Sequence, residues 1–144
     1  MNNALVEFGS SGWLDALERA FRARVATATP EQLAVPYSMS ETYTDPPAGL
    51  GSGAALGFHF RIGPTGFEFH RQPADDVDFR IVGSYAAIQE LARFAVDDDP
   101  ARRKQLDGLV ASALKAGDMR TQGERSGAAS IFAGVHDEVA RVTA

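Results

Sequence analysis

The sequence predicts an α+β fold: about five strands in a mostly antiparallel sheet, helices packed on one face, and an apolar cavity enclosed between the layers. Three observations predict it. Period-two segments run from residue 35 to 81, with a hairpin signature in their middle. Two apolar-faced helices follow, and then a short strand bracketed by Gly117 and Gly123 and a last helix. The stretch from Val77 to Gly123 thus reads strand, helix, helix, strand, and its sheet edge and apolar helix faces are the materials of a cavity.

Each element has its own grounds. Ser10-Ser11-Gly12 precede Trp13-Leu14, with Asp15 and Glu18 in the first turns, so a serine can cap and acids suit the positive helix end. Leu14, Leu17 and Phe21 then follow helical spacing, which predicts a helix over 12–26, and Thr29-Pro30-Glu31 breaks it or begins a short second turn. From Val35 to Thr44 the period becomes two. Tyr37, Met39, Glu41 and Tyr43 share one face of this strand, and Ser38, Ser40, Thr42 and Thr44 the other.

Asp45-Pro46-Pro47 stops the strand, and Ala48 to Gly53 forms a loop. Phe58, Phe60 and Ile62 alternate with His59 and Arg61. Gly63-Pro64-Thr65-Gly66 turns the chain, and Phe67 and Phe69 alternate with Glu68 and His70. A four-residue turn sets Ile62 opposite Phe67, Arg61 opposite Glu68, Phe60 opposite Phe69 and His59 opposite His70. Aromatic pairs then fall on one face and polar pairs on the other.

Pro73 to Asp76 leads to a fourth strand with Val77, Phe79 and Ile81 on one face. The four strands are expected to form an antiparallel meander. Gly83-Ser84 caps a helix striped by Tyr85, Ile88, Leu91 and Ala92. Asp99-Pro100 is a strong helix start. Leu106, Leu109, Val110, Ala113 and Leu114 repeat at i, i+3, i+4, i+7 and i+8, and Gly117 is placed as a left-handed terminator. Met119 to Arg125 reads as a fifth strand, and Ser126-Gly127 opens a helix with Phe132, Val135, Val139 and Val142 on one face.

Composition narrows the function classes. The chain has 144 residues, enough for one domain (1–144) with a real core. The net charge of −5 and scattered basic residues argue against a nucleic-acid partner. Without cysteine there is no thiolate chemistry or Cys-ligated metal. The start lacks a basic region and a long apolar core, so no signal peptide is expected, and no apolar run suggests stable membrane insertion. A cytoplasmic location and no cofactor follow as the default.

Two segments carry a resemblance. Val77-Asp78-Phe79-Arg80-Ile81 leading to Gly83-Ser84-Tyr85 resembles the strand-then-helix step of the sterol carrier protein-2 domain family. There an aspartate-containing strand precedes a polar cap and an apolar helix. Ala116 to Glu124 (AGDMRTQGE) resembles that family's glycine, short strand and second glycine followed by an acid, with Gly117, Gly123 and Glu124 in the matching places. The Trp13-Leu14 helix followed later by a strand resembles the short stand-alone bacterial members. The likeness covers most of the chain in element order. The Gly49 to Gly53 loop and the Asp97-Asp98-Asp99 connection depart from it. The resemblance implies an apolar tunnel between the sheet and its helices that binds lipids, sterols or fatty-acyl groups, with no catalytic residues of its own.

The candidate ligand-binding residues come from both layers. Phe58, Phe60, Phe67, Phe69 and Phe79, with Val77 and Ile81, line one sheet face. Leu91, Phe94, Leu106, Leu109, Val110, Leu114, Met119, Phe132 and Val135 can meet it. Core and pocket look alike in sequence, so the same residues also fit a solid core.

Glu41 is the odd polar residue. It shares a strand face with Tyr37, Met39 and Tyr43, and burial there would raise its pKa and suit it to acid–base work. An open strand end would let it reach water instead. His59 and His70 are expected as surface neighbours, short of the three or four ligands that a metal site needs. His136, four residues after Phe132, either points its tip to a cavity mouth or bonds locally. Gly49-Leu50-Gly51-Ser52-Gly53 lacks the helix that a phosphate cradle needs, and reads as a loop or lid.

Three readings compete. The first is a non-catalytic protein that sequesters or presents a lipid, sterol or acyl group. The second is a small acid–base enzyme on a steroid- or terpenoid-like substrate, with Glu41 or Asp45 and a tyrosine as its pair. The third is an interaction module that forms a homodimer through a sheet edge or the polar hairpin face.

Overall fold

A computed structural model describes residues 4–50, 55–125 and 127–144. The elements are α1 (Ser11–Ala26), β1 (Tyr37–Thr44), β2 (Leu56–Gly63), β3 (Gly66–His70), β4 (Phe79–Ser84), α2 (Tyr85–Ala92), α3 (Pro100–Ala116), β5 (Met119–Gly123), a 3-10 helix (Gly127–Phe132) and α4 (Val135–Ala140). The fold is α+β, with a five-stranded sheet of order β3-β2-β1-β4-β5.

Local chemistry sets the element ends. The Ser10 and Ser84 hydroxyls accept from the backbone N–H groups of Trp13 and Ala87, and the Asp99 carboxylate accepts from Ala101 N–H. These caps satisfy orphan donors at the starts of α1, α2 and α3. Gly117 ends α3 in the left-handed conformation at φ 78°. The hairpin register is the one that the alternation predicts: Ile62 faces Phe67, Arg61 faces Glu68, Phe60 faces Phe69 and His59 faces His70.

Two expectations need correction. The four strands do not form a meander. Strands β1, β2 and β3 do, but β4 returns to pair in parallel with β1 on its other side, Met39 beside Phe79 and Glu41 beside Ile81. The reason lies in residues 71–78, which run back beneath the outer face of the sheet. The short polar residues of that face receive them: Ala74 N–H donates to Ser40 Oγ, Ser38 N–H to the Asp78 carboxylate, and Asp78 N–H to Ser38 Oγ. Strand β5 then pairs antiparallel with β4.

The last helix is also not continuous. Gly134, at φ 88°, separates the 3-10 helix from α4, because a left-handed residue cannot continue a right-handed turn. The expected opening at Ser126, and Gly51 to Gly53 of the glycine-rich loop, lie outside the described residues.

All helices pack on the inner face of the sheet. Phe21 of α1 sits among Phe58, Phe60, Phe69 and Phe132, with ring centroids 4.9–6.0 Å away. Phe8 is fully buried, its ring 4.8 Å from those of Trp13 and Tyr43, and Tyr85 Oη donates to its carbonyl at 2.6 Å. Helix α3 packs against α2 and β5, with Leu106 its one buried side chain.

Candidate functional site

Between the inner face of the sheet and the helices lies a pocket of about 690 Å³. Side-chain alternation builds its floor. Tyr37, Met39, Glu41 and Tyr43 of β1 point the same way, and the register sets Phe60 and Phe58 of β2 beside Met39 and Glu41. On the other side Ile81 stands between Glu41 and Thr121 of β5, and Met119 follows two residues earlier. Leu91 of α2 and Leu106 and Val110 of α3 form the roof. Trp13, Leu17 and Phe21 of α1 close one side, with Phe8. Arg103, Asp107 and Leu114 of α3, Arg125 and His136 also border the pocket and are solvent-exposed, so its mouth lies there.

The polar groups of this lumen are few. Glu41 accepts a hydrogen bond from Tyr43 Oη at 2.8 Å. Burial pushes the Glu41 carboxyl above the usual carboxylate range, opposed by the Tyr43 hydrogen bond and the positive charge of Arg125. Burial and the neighbouring Glu41 charge push the Tyr43 phenol well up. The glutamate still contacts the lumen, because one side of it faces the pocket rather than packed protein. Tyr37 is 2% exposed, and burial raises its phenol also. Its Oη is the one buried side-chain polar atom among the described residues without a hydrogen-bond partner. Arg125 lays its guanidinium over the Phe79 ring, 5.1 Å from the centroid.

The pocket brings together many of the candidates read from sequence: Phe58, Phe60, Leu91, Leu106, Val110, Leu114, Met119, Phe132 and Val135, with Glu41 and His136. Others stand outside its lining. Phe67 and Phe69 share the inner face but pack toward Phe21, and Phe69 stacks on Phe58 at 5.5 Å. Phe79 is buried beneath Arg125. Phe94 follows α2 and carries the Arg102 guanidinium over its ring at 4.5 Å. Leu109 is half-buried on α3, outside the lining.

Asp45 lies exposed beyond the end of β1. His136 Nε2 donates to the Phe94 carbonyl at 2.8 Å while bordering the mouth. His59 and His70 stack at 4.6 Å, but His59 is buried rather than on the surface, because the crossing segment covers it and Gln72 O accepts from its Nδ1 at 2.6 Å. No cluster of three or more metal-ligating side chains occurs among the described residues.

The sequence does not single out the N-terminal wall as part of a site. Trp13, Leu17 and Phe21 carry a helical stripe that reads as core, and they serve both layers. Phe8 has no periodic neighbours and gives no such signal. Among the described residues no helix is long and apolar enough to cross a membrane.

No protein-family model matches the chain. No curated protein matches it either. Among solved structures it is similar to a UbiJ-SCP2 ubiquinone synthesis protein, at 9% identity over 88% of this chain and 89% of that one, with a TM-score of 0.45. It is similar to sterol carrier protein 2, at 18% identity over 94% and 96% of the two chains, with a TM-score of 0.44. A candidate sterol carrier protein from Thermus thermophilus shares 16% identity over 98% and 92%, with a TM-score of 0.44.

Proposed function

We propose that this chain binds an apolar small molecule, a lipid, sterol or fatty-acyl group, in the pocket between sheet and helices, and sequesters or presents it without chemical change. The pocket itself carries the reading. At about 690 Å³ it falls among ligand sites, and phenylalanine, leucine, isoleucine, valine and methionine make most of its wall. Each methylene moved there from water contributes about 0.8 kcal/mol before the cost of ordering the ligand. The mouth between α3, Arg125 and His136 offers a way in from solvent.

Native mass spectrometry of the freshly purified protein, with solvent extraction of anything released, tests this. A stoichiometric lipid or acyl species supports the reading. So does saturable uptake of a fluorescent fatty acid or sterol that is lost in Val110→Trp, which fills the lumen from α3. A clean apo mass with no uptake of any probe overturns it.

One observation favours a second reading. Glu41 is a pocket carboxyl of raised pKa, hydrogen-bonded to a phenol, which is the equipment of a general acid–base on a steroid- or terpenoid-like substrate. Turnover abolished in Glu41→Gln with binding retained would move the function to this enzyme reading. A screen without turnover leaves the carrier.

A further inference from the structure

The inward row of β1 alternates in a way that a purely apolar cavity would not need. Its four side chains are Tyr37, Met39, Glu41 and Tyr43, and only the methionine is without a polar group. The neighbouring rows are Phe58 and Phe60 on β2 and Phe79 and Ile81 on β4. Phenylalanine or leucine at Tyr37 and Glu41 would fill the same space without the cost of burying polar atoms.

The hydrogen-bonding capacity of these two residues is mostly unused. Glu41 Oε1 accepts from Tyr43 Oη, and that is the whole of its hydrogen bonding among the described residues. No cation lies within ion-pair distance of it among those residues. Arg125, whose charge reaches it, is engaged on the Phe79 ring at the edge of the sheet. Tyr37 Oη is buried with no hydrogen-bond partner among the described residues. Tyr37 and Glu41 are four positions apart, roughly 13 Å along the strand, so one ligand atom does not satisfy both. The lumen opens on the Glu41 carboxylate while the Tyr37 hydroxyl is sealed from it, so a molecule lying along β1 finds its polar contact at Glu41.

We propose that Glu41 is the head-group receptor of this pocket, and that it selects an amphiphile with an uncharged, proton-donating oxygen, an alcohol, over one with a free carboxylate. The proposal rests on the pocket-binding reading. A hydroxyl donates to the open oxygen of Glu41, and it also accepts if the carboxyl carries its proton. A carboxylate has no proton to donate. Where Glu41 is ionised, it sets a second negative charge beside a carboxylate that no cation among the described residues pairs, in a low-dielectric site where repulsion is several-fold stronger than in water.

The test compares dodecan-1-ol with dodecanoate, which share a chain length and differ at the head. Each displaces the neutral dye N-phenyl-1-naphthylamine from the protein at pH 8.5. The wild type is expected to bind the alcohol at least tenfold more tightly. Glu41→Gln keeps the shape and removes the charge, and is expected to shrink that preference at least fivefold, chiefly by tighter dodecanoate binding. Equal affinities in the wild type, or a preference unchanged in Glu41→Gln, overturn the head-group assignment and leave pocket binding standing. Failure of the wild type to take up the dye or either probe overturns pocket binding, and this proposal with it.

Discussion

Phe21→Ala probes the joint between the first helix and the sheet. Phe21 is 6% exposed, and its ring stands 4.9 Å from Phe132 and 5.1 Å from Phe60. Truncating a buried phenylalanine costs about 3–5 kcal/mol, made up of lost transfer energy and the cavity left behind. Here one side of the ring already borders the pocket, so fewer neighbours lose contact than in a solid core. The low end, about 3 kcal/mol, is therefore expected.

For a chain of this length that lowers Tm by roughly 6–12 °C. Urea unfolding followed by circular dichroism measures it, read from the midpoint at unchanged slope. The Phe132→Ala single variant and the double variant complete a cycle, with a coupling of about 1 kcal/mol expected from the edge-on ring pair. A cost below about 1 kcal/mol for Phe21→Ala would mean that α1 does not hold the hairpin through this ring, and the packing argument would be wrong.

Gly57→Ala should cost about 3 kcal/mol or more. Gly57 has φ 149°, and a Cβ there would stand 2.0 Å from the Glu41 carbonyl oxygen, which belongs to backbone and cannot swing aside. A denaturation midpoint near that of wild type would contradict this β1–β2 geometry. Tyr85→Phe removes the donor to the buried Phe8 carbonyl and is expected to cost about 1–3 kcal/mol in the same assay, and a neutral result would show that the carbonyl finds water. Glu41→Gln should change how stability depends on pH. The folded-state pKa of Glu41 lies above its unfolded value, so the native state favours the protonated form, and its advantage is lost as pH rises through the folded pKa. Tyr43, Arg125 and the rim groups Arg103, Asp107, His136 and Asp137 face the same lumen and are unchanged in the variant. Wild type minus variant stability should therefore be least negative at acidic pH and fall with rising pH to a plateau. A flat difference across that range would mean that Glu41 is solvated in the native state.

Much of the fold could be read from local chemistry. Ser84, Asp99 and Gly117 bound their helices as capping rules require, and the 63–66 turn sets the hairpin register by its length alone. The position of β4 was not legible. Phe79 and Ile81 state which way a strand faces but not which strand lies beside it, and the short link after β3 suggests a turn to the nearest edge. The clue was the run of small polar residues, Ser38 and Ser40, on a face where solvent would have accepted anything.

The site divides in the same way. The parity of β1 and β2 identifies Glu41, Phe58 and Phe60 as facing one layer. Whether Phe67 or Leu109 meets helix or lumen depends on how α1 and α3 are laid over the sheet, and sequence periodicity carries no information on that.

Helix α3 has a consequence for motion. Both ends of this helix are secured by their own chain, Asp99 at the start and Gly117 at the finish. The loop before it is tied to α4, where the Asp137 carboxylate accepts from Val96 and Asp97 N–H groups. Strand β5 after it is fixed to β4. Between these anchors, burial of one leucine and a half-buried stripe hold the helix against the pocket. Its free energy of local opening is accordingly set well below that of the sheet. In hydrogen–deuterium exchange, the amides of α3 should lose protection while those of β1 keep theirs, and a bound molecule should slow the first set far more than the second. Residence time in the pocket would then follow the stability of a single helix turned toward solvent, and a substitution at Leu106 would tune it without touching the ligand's floor.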